Sequence, residues 1–221
     1  MKPEALVFDA YGTLFDVHSV AQRCESFWPG AGAKLSQLWR AKQLEWTWQR
    51  TLMRRYVPFS QVTREALGYA CETLGLGLDD GKVSALMHEY LRLASYPDVW
   101  DALDRLRAAG YRLAILTNGS PDMIGPLVEC SGLAFDAVLS VDEQKMFKPA
   151  PEVYELASRR LGFRPAGIGF VSSNCWDALG AKAFGFRAWW INRAGAPIDA
   201  LGYRPDGILA GLGELPAVLG A

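Results

Sequence analysis

The sequence predicts an α/β fold: a parallel sheet covered on both faces, with a helical cap inserted after the first strand. Two observations carry this. Beyond residue 97, short continuous apolar runs alternate with helical patterns, as buried parallel strands joined by crossover helices do. Between the first run and that region, about eighty residues show amphipathic helical stretches and no convincing strand, far more than a crossover needs.

Taken in order, ALVFD (5–9) is the first strand, ending on Asp9 at a Gly-Thr turn. The helical stretches HSVAQRCESFW (18–28), AKLSQLWRAKQLEWTWQRTLMRR (33–55), SQVTREALGYACETLG (60–75) and DGKVSALMHEYLRLA (80–94) follow. They assign residues 15–96 to the cap and residues 1–14 and 97–221 to the core. Pro97 marks the return, and VWDALDRLRAAG is a crossover helix ending at Gly110. Then come the strands RLAILT (112–117), AVLSV (137–141), GIGFVSS (167–173), AWWIN (188–192) and GILAG (207–211). Helical patterns MIGPLVECSG, PEVYELASRRLG and CWDALGAKAFG lie between them.

The totals narrow the function class. The 221 residues are 50% hydrophobic, enough for a well-buried core, and the net charge of −1 gives no overall pull towards nucleic acid or anionic lipid. No apolar run approaches the roughly 20 residues of a membrane span. The N-terminus enters a strand without a basic-then-apolar leader, so a cytoplasmic protein is expected. Four scattered cysteines without a CxxC pair imply reduced thiols. Two histidines, His18 and His88, argue against a His-rich metal site, and neither is assigned a catalytic role. The Gly-rich pieces GLGLDDG and GILAGLGEL have the wrong placement and spacing for a nucleotide fingerprint.

Ligands of an open parallel sheet bind beyond the carboxyl ends of its strands. Asp9 ends the first strand, and Thr117-Asn118-Gly119-Ser120 ends the second. Lys148 follows the third. Ser172-Ser173-Asn174 ends the fourth, with Asp177 three residues on. Each has an ordinary structural explanation. Asp9 could close a turn, Asn118-Gly119 could be a turn dipeptide, and Lys148 could be solvated. Asn174 could be a helix N-cap with Asp177 at N3. An acid, a hydroxyl–amide pair, a lysine and a second acid at four successive strand ends are together better explained as a site.

The stretches FDAYGTLFD, LWRAKQLEW, LTNGSPDM, FKPAPEVYELA and FVSSNCWDALGAKAFGF resemble the haloacid dehalogenase superfamily, and within it the L-2-haloacid dehalogenases. The resemblance spans the whole chain. It implies a Rossmann-like core with a cap, no metal and no cofactor. The implied reaction is hydrolysis of an (S)-2-haloacid to an (R)-2-hydroxyacid and halide through an aspartyl ester. The partners implied are a 2-haloalkanoate and water, with a homodimer expected. Asp9 is implied as nucleophile, supported by Thr13. Asp177 with Lys148, Ser172 and Asn174 would position and activate water, and Tyr154 would orient the site. Arg40 and Asn118 would cradle the halide, with Trp176 nearby. Thr117 would offer its hydroxyl to the substrate carboxylate. Tyr11, Leu44, Phe59 and Trp176 match apolar wall positions; ordinary helix packing explains Leu44 and Phe59 almost as well.

Tyr11 separates this reading from its nearest alternative, a Mg²⁺-dependent phosphatase. A carboxylate with an ordinary pKa of ~3.9 attacks without a general base. Attack on phosphorus expels an alkoxide, which needs a proton, and the doubly charged substrate usually needs Mg²⁺. The superfamily's phosphatases supply that proton from a second Asp two residues after the first. Here that position is Tyr11, and SSNCWD offers one acid where the phosphatases commonly offer two. Halide leaves carbon without a proton. A third reading is a non-catalytic binding protein that keeps the fold. Three departures from the subfamily, Ala41, Thr117 and Cys175, leave the nucleophile alone and bear on substrate range. Trp39, Trp46 and Trp48 on one helix cannot all face one pocket; core packing or a dimer interface would take the others.

Overall fold

The structure is a computed structural model that describes residues 2–221. Strand β1 (Ala5–Phe8) is buried at every residue and leads into α1 (His18–Phe27), α2 (Gly32–Leu52), α3 (Phe59–Leu74) and α4 (Asp80–Glu89). The chain continues through α5 (Val99–Ala108), β2 (Arg112–Thr117), α6 (Pro121–Ser131), β3 (Ala137–Ser140) and α7 (Pro151–Leu161). It ends with β4 (Ile168–Ser172), α8 (Cys175–Phe184), β5 (Arg187–Ile191), β6 (Gly207–Leu209) and α9 (Leu215–Leu219).

Among the described residues the six strands are all parallel, in the order β3-β2-β1-β4-β5-β6. This is the parallel α/β sheet that the alternating runs predict, and Rossmann-like as the resemblance implies. Chain order reverses at β1, which pairs with β2 on one side and β4 on the other. A crevice therefore opens beyond the carboxyl ends of those three strands, where Asp9, Thr117 and Ser172 sit. The Asp9 N–H extends the ladder to Val171 O (2.9 Å), which fixes the start of the turn that follows.

The helices between β1 and α5 leave and rejoin the sheet through a short paired neck. Asp16 N–H donates to Ala94 O and Tyr96 N–H to Leu14 O. This neck corrects one expectation. The fourth helical stretch, expected to run to Ala94, stops at Glu89, because residues up to Tyr96 are needed to turn back and pair with the outgoing chain. The second stretch stops at Leu52 instead of Arg55, and Arg54 takes a left-handed conformation (φ 55°).

One hydrophobic cluster joins the sheet to the helical insert: Phe8, Tyr11 and Phe15 pack in it with Trp39, Phe59, Leu67 and Tyr90. Of the α2 tryptophans, Trp39 is buried and donates to Thr63 O (2.7 Å). Trp46 meets Tyr69 edge-on, and Trp48 meets Trp176. All four cysteines are free thiols. Among the described residues no helix is long and apolar enough to cross a membrane.

Candidate active site

Asp9 sits at the centre of the crevice, 6% exposed. Its Oδ1 accepts from Lys148 Nζ (3.1 Å), and its Oδ2 accepts from Thr13 Oγ1 and Asn174 Nδ2 (2.9 Å each). Local chain geometry makes this possible. Gly12 takes φ +87°, so the turn after Asp9 folds back and Thr13 comes beneath the carboxylate. The N–H groups of Thr13, Leu14 and Phe15 all point at Ala10 O. Thr13 Oγ1 in turn accepts from the Ser173 N–H (2.8 Å) and contacts Ser173 Oγ (3.1 Å), tying the turn to the end of β4.

Lys148 bridges the two acids. Its Nζ also donates to Asp177 Oδ2 (2.9 Å) and lies 4.9 Å from the centre of the Phe170 ring. The lysine loop is pinned on both sides. Asn118 Oδ1 accepts from the Lys148 N–H (2.9 Å), and Thr51 Oγ1 of α2 accepts from the Phe147 N–H (3.0 Å). Burial alone would lower the Lys148 pKa, but Asp177 and then Asp9 more than offset it, and the net shift is upward. The side chain is therefore an ammonium. Asp177 is fully buried; its Oδ1 accepts from Tyr154 Oη (2.8 Å). Burial pushes its carboxyl up to about 6, against the pull of Lys148. Burial and the Asp177 charge hold Tyr154 well above the ordinary phenol range, so it remains a donor.

Asp9, Thr13, Lys148, Tyr154, Asn174 and Asp177 thus form one bonded network. Asn174 does occupy the N-cap of α8, but its side chain makes no cap hydrogen bond and turns to Asp9 instead. Ser172 enters at one remove, accepting from the Asn174 N–H (3.1 Å). Asn118 enters through the Lys148 main chain. Thr117 Oγ1 is buried and accepts from the Gly119 N–H (3.0 Å).

Tyr11 stands near this centre, close enough for the Asp9 charge to act on its hydroxyl. Its ring is 6.1 Å from Phe59 and 6.0 Å from Tyr90. It also presses on Gly119, where a Cβ would lie 2.8 Å from Tyr11 Cε2, so only glycine fits. The Tyr11 hydroxyl is buried and has no hydrogen-bond partner within the described residues. Burial raises its pKa, with a contribution from Tyr90, and keeps it neutral.

The cap-borne residues are less tightly gathered. Arg40 is half-buried on α2; its charge acts on the Tyr11 and Tyr90 hydroxyls, and its bonded partner is Gln43. Leu44 is half-buried, outside the hydrophobic cluster that holds Tyr11 and Phe59. Trp176 meets Trp48 edge-on at 5.5 Å and lines a cavity of about 410 Å³ with Pro149, Leu201 and Tyr203, whose lining includes neither Asp9 nor Asp177. Ala41 is exposed. Sequence reasoning missed Ser173 and Gln43 as site neighbours. Ser173 was visible as a second strand-end hydroxyl, whereas Gln43 carried no signal.

The donor set does not suit a divalent cation. All four carboxylate oxygens of Asp9 and Asp177 already accept from protein donors. Among the described residues, no three His, Cys, Asp or Glu side chains converge as ligands. A carboxyl group held by donors, an ammonium held between two acids and an aromatic side chain are groups that can serve displacement at carbon.

A model of the haloacid dehalogenase-like hydrolases matches residues 3–185. The chain belongs to this family. It is 51% identical over 205 residues to an (S)-2-haloacid dehalogenase of Pseudomonas sp. (strain YL), covering 92% of this chain and 88% of that one. Its fold is similar to that of the L-2-haloacid dehalogenase RSc1362, with TM-score 0.98 and 44% identity over all of both chains. It is also similar to the L-2-haloacid dehalogenase of Xanthobacter autotrophicus with chloropropionic acid covalently bound. There the TM-score is 0.92 and the identity 42%, covering 99% of each chain. In this haloacid dehalogenase-like hydrolase the acid at the end of the first strand is Asp9, and Tyr11 stands two residues on.

Proposed function

We propose that the protein hydrolyses (S)-2-haloacids to (R)-2-hydroxyacids and halide through an ester on Asp9, without a metal. The observation that carries this is the pairing of a donor-held Asp9 carboxylate with the unpartnered, aromatic-packed Tyr11 in place of a second acid. The names of the relatives, and the covalent chloropropionic acid complex of one of them, support it.

In the first step an Asp9 oxygen displaces halide from the carbon bearing it, inverting that carbon. Oδ1 has one donor and Oδ2 has two, so Oδ1 is the freer nucleophile. Oδ2 then becomes the ester carbonyl oxygen, already facing Thr13 Oγ1 and Asn174 Nδ2. These donors are positioned for the oxyanion that forms when water attacks that carbonyl. Asp177, with Lys148, Tyr154, Ser172 and Asn174 around it, acts as base for this water, and a general base contributes about 10²–10⁴-fold. The intermediate collapses by breaking the bond from the Asp9 carboxyl carbon to the ester oxygen; that oxygen leaves as the product hydroxyl, taking the proton that Asp177 drew from water, and the Asp9 carboxyl releases the second proton to solvent. Arg40 and Asn118 receive the halide. Thr117 and nearby main-chain N–H groups hold the carboxylate, with Tyr11, Phe59, Leu44 and Trp176 as apolar surroundings. The insert 15–96 acts as a cap on the core 1–14 and 97–221, and moves to admit substrate to the buried carboxylates.

We further propose a cytoplasmic homodimer. The exposed Leu52 and Met53 at the end of α2 support an interface there. Halide release from (S)-2-chloropropionate in EDTA tests the function. Its absence, with Mg²⁺-dependent phosphate release instead, would establish the phosphatase alternative. Asp9→Asn should abolish turnover, and persistent activity would remove Asp9 as nucleophile.

A further inference from the structure

Arg40 has an unusual anchorage for a half-buried guanidinium. Among the described residues no salt bridge includes it. Its partner is an amide: Arg40 Nη1 donates to Gln43 Oε1 at 2.6 Å. Gln43 is itself fully buried, and its Nε2 donates to Thr63 Oγ1 of α3 at 2.7 Å. Thr63 Oγ1, also fully buried, donates to Phe59 O at 2.7 Å.

The chemistry of these groups fixes the direction of the chain. A threonine hydroxyl has one proton, and here the Phe59 carbonyl takes it. Towards Gln43 the Thr63 oxygen can therefore only accept, so the amide must present NH₂ to it and oxygen to Arg40. The reverse orientation would set amide N–H groups against guanidinium N–H groups, which have no acceptor. An amide also holds the guanidinium without cancelling its charge, as a carboxylate would.

We propose that Gln43 is a positioning residue that aims Arg40 into the site with its charge intact, and that Thr63 anchors that amide in the one polarity that serves Arg40. The proposal rests on the dehalogenase reading, in which Arg40 meets an anionic substrate and a departing halide. Gln43 and Thr63 act through Arg40 and touch no reacting atom. Gln43 also hydrogen-bonds the Tyr90 hydroxyl; a purely structural role, joining α2 to α3 and to Tyr90, would change stability and would not separate Gln43→Glu from Gln43→Met by the charge on Arg40.

The test is steady-state halide release from (S)-2-chloropropionate by the full chain, with thermal unfolding measured in parallel. Gln43→Met removes the acceptor and should lower kcat/KM by about tenfold or more. Gln43→Glu keeps an acceptor but neutralises Arg40, and should raise KM about tenfold with a smaller effect on kcat. Thr63→Val removes the acceptor for the amide NH₂, loosens the amide behind Arg40 and should cost about threefold, while Thr63→Ser restores wild-type kinetics. Because Thr63 works through Gln43, the double variant Gln43→Met/Thr63→Val should match Gln43→Met alone. The proposal is overturned if both Gln43 variants keep kcat/KM within about twofold of wild type, or if the Thr63→Val loss multiplies onto that of Gln43→Met. Should Gln43→Met fail to fold, Gln43→Glu and the Thr63 pair decide alone. Wild-type protein that releases no halide overturns the functional reading and this proposal with it. Active wild type with indifferent variants overturns this proposal only.

Discussion

Lys148→Met isolates the electrostatic work of the lysine. The Asp9 and Asp177 oxygens sit 3.1 and 2.9 Å from the same Nζ, so they lie within about 6 Å of each other. At an effective dielectric of ~20, two unit charges at that distance repel by about 3 kcal/mol. Both side chains are almost wholly buried, and removing one partner of a buried pair costs about 3–5 kcal/mol. With an m-value near ~3 kcal/mol/M, the urea midpoint at pH 8 should fall by roughly 1–2 M. The loss must shrink on acidification. Asp177 already titrates above its unfolded value of ~3.9, at about 6, and without Lys148 it rises further. A raised folded-state pKa contributes stability that is fully present below the unfolded pKa and is lost as pH rises through the folded one. Urea titrations at pH 8 and pH 5.5 should therefore show a smaller difference between variant and wild type at pH 5.5. A midpoint shift independent of pH, or one worth less than about 1 kcal/mol at pH 8, would refute the reasoning.

Three further outcomes follow from the same geometry. If Asp177 is the base, kcat should fall as pH drops through about 6, because its carboxylate is lost there. The contribution of Asp177 to stability runs the other way across that window, and a pH–rate profile beside a pH–stability profile checks both signs. Tyr11→Phe removes a buried hydroxyl without a partner, so the protein should be unchanged or more stable by about 1 kcal/mol, with activity retained. Thermal unfolding and halide release measure this, and a large rise in KM would show that the hydroxyl holds substrate. Gly119→Ala places a Cβ 2.8 Å from the Tyr11 ring and should cost about 1–3 kcal/mol while displacing the wall, read as a lower melting temperature and altered KM.

The core was legible because parallel strands buried on both faces leave an unambiguous mark, and ALVF and RLAILT are among them. The strand ends were legible for a topological reason: a sheet that reverses order at β1 must bring Asp9, Lys148, Asn174 and Asp177 to one crevice. The insert was less legible. Helical periodicity does not say where a helix must end to let the chain rejoin its sheet, and α4 stops at Glu89 to make the neck. It also does not say which neighbour a side chain meets. Trp176 of α8 turned to Trp48 of the insert, and Arg40 took its anchor from a glutamine three residues away on the same helix. Gln43 had no sequence signal, since a buried glutamine on a helix reads like a solvated one until α3 is placed beside it.

The surroundings of Tyr11 bear on why the second acid is absent. A carboxylic acid that protonates a leaving group must be held by donors and must alternate between charged and neutral forms. The position of Tyr11 offers neither condition. Its side chain is enclosed by Phe59, Tyr90 and the bare backbone of Gly119, and even a phenol there finds no partner. A carboxylate in that enclosure would be desolvated without a donor and would face Asp9 two residues away, so it would neutralise or destabilise the fold. Changing Tyr11 to Asp would therefore not by itself turn this site towards phosphate. The enclosure would have to change with it, because the apolar wall is a property of four elements: the β1 turn, α3, the end of α4 that carries Tyr90, and the β2 strand end.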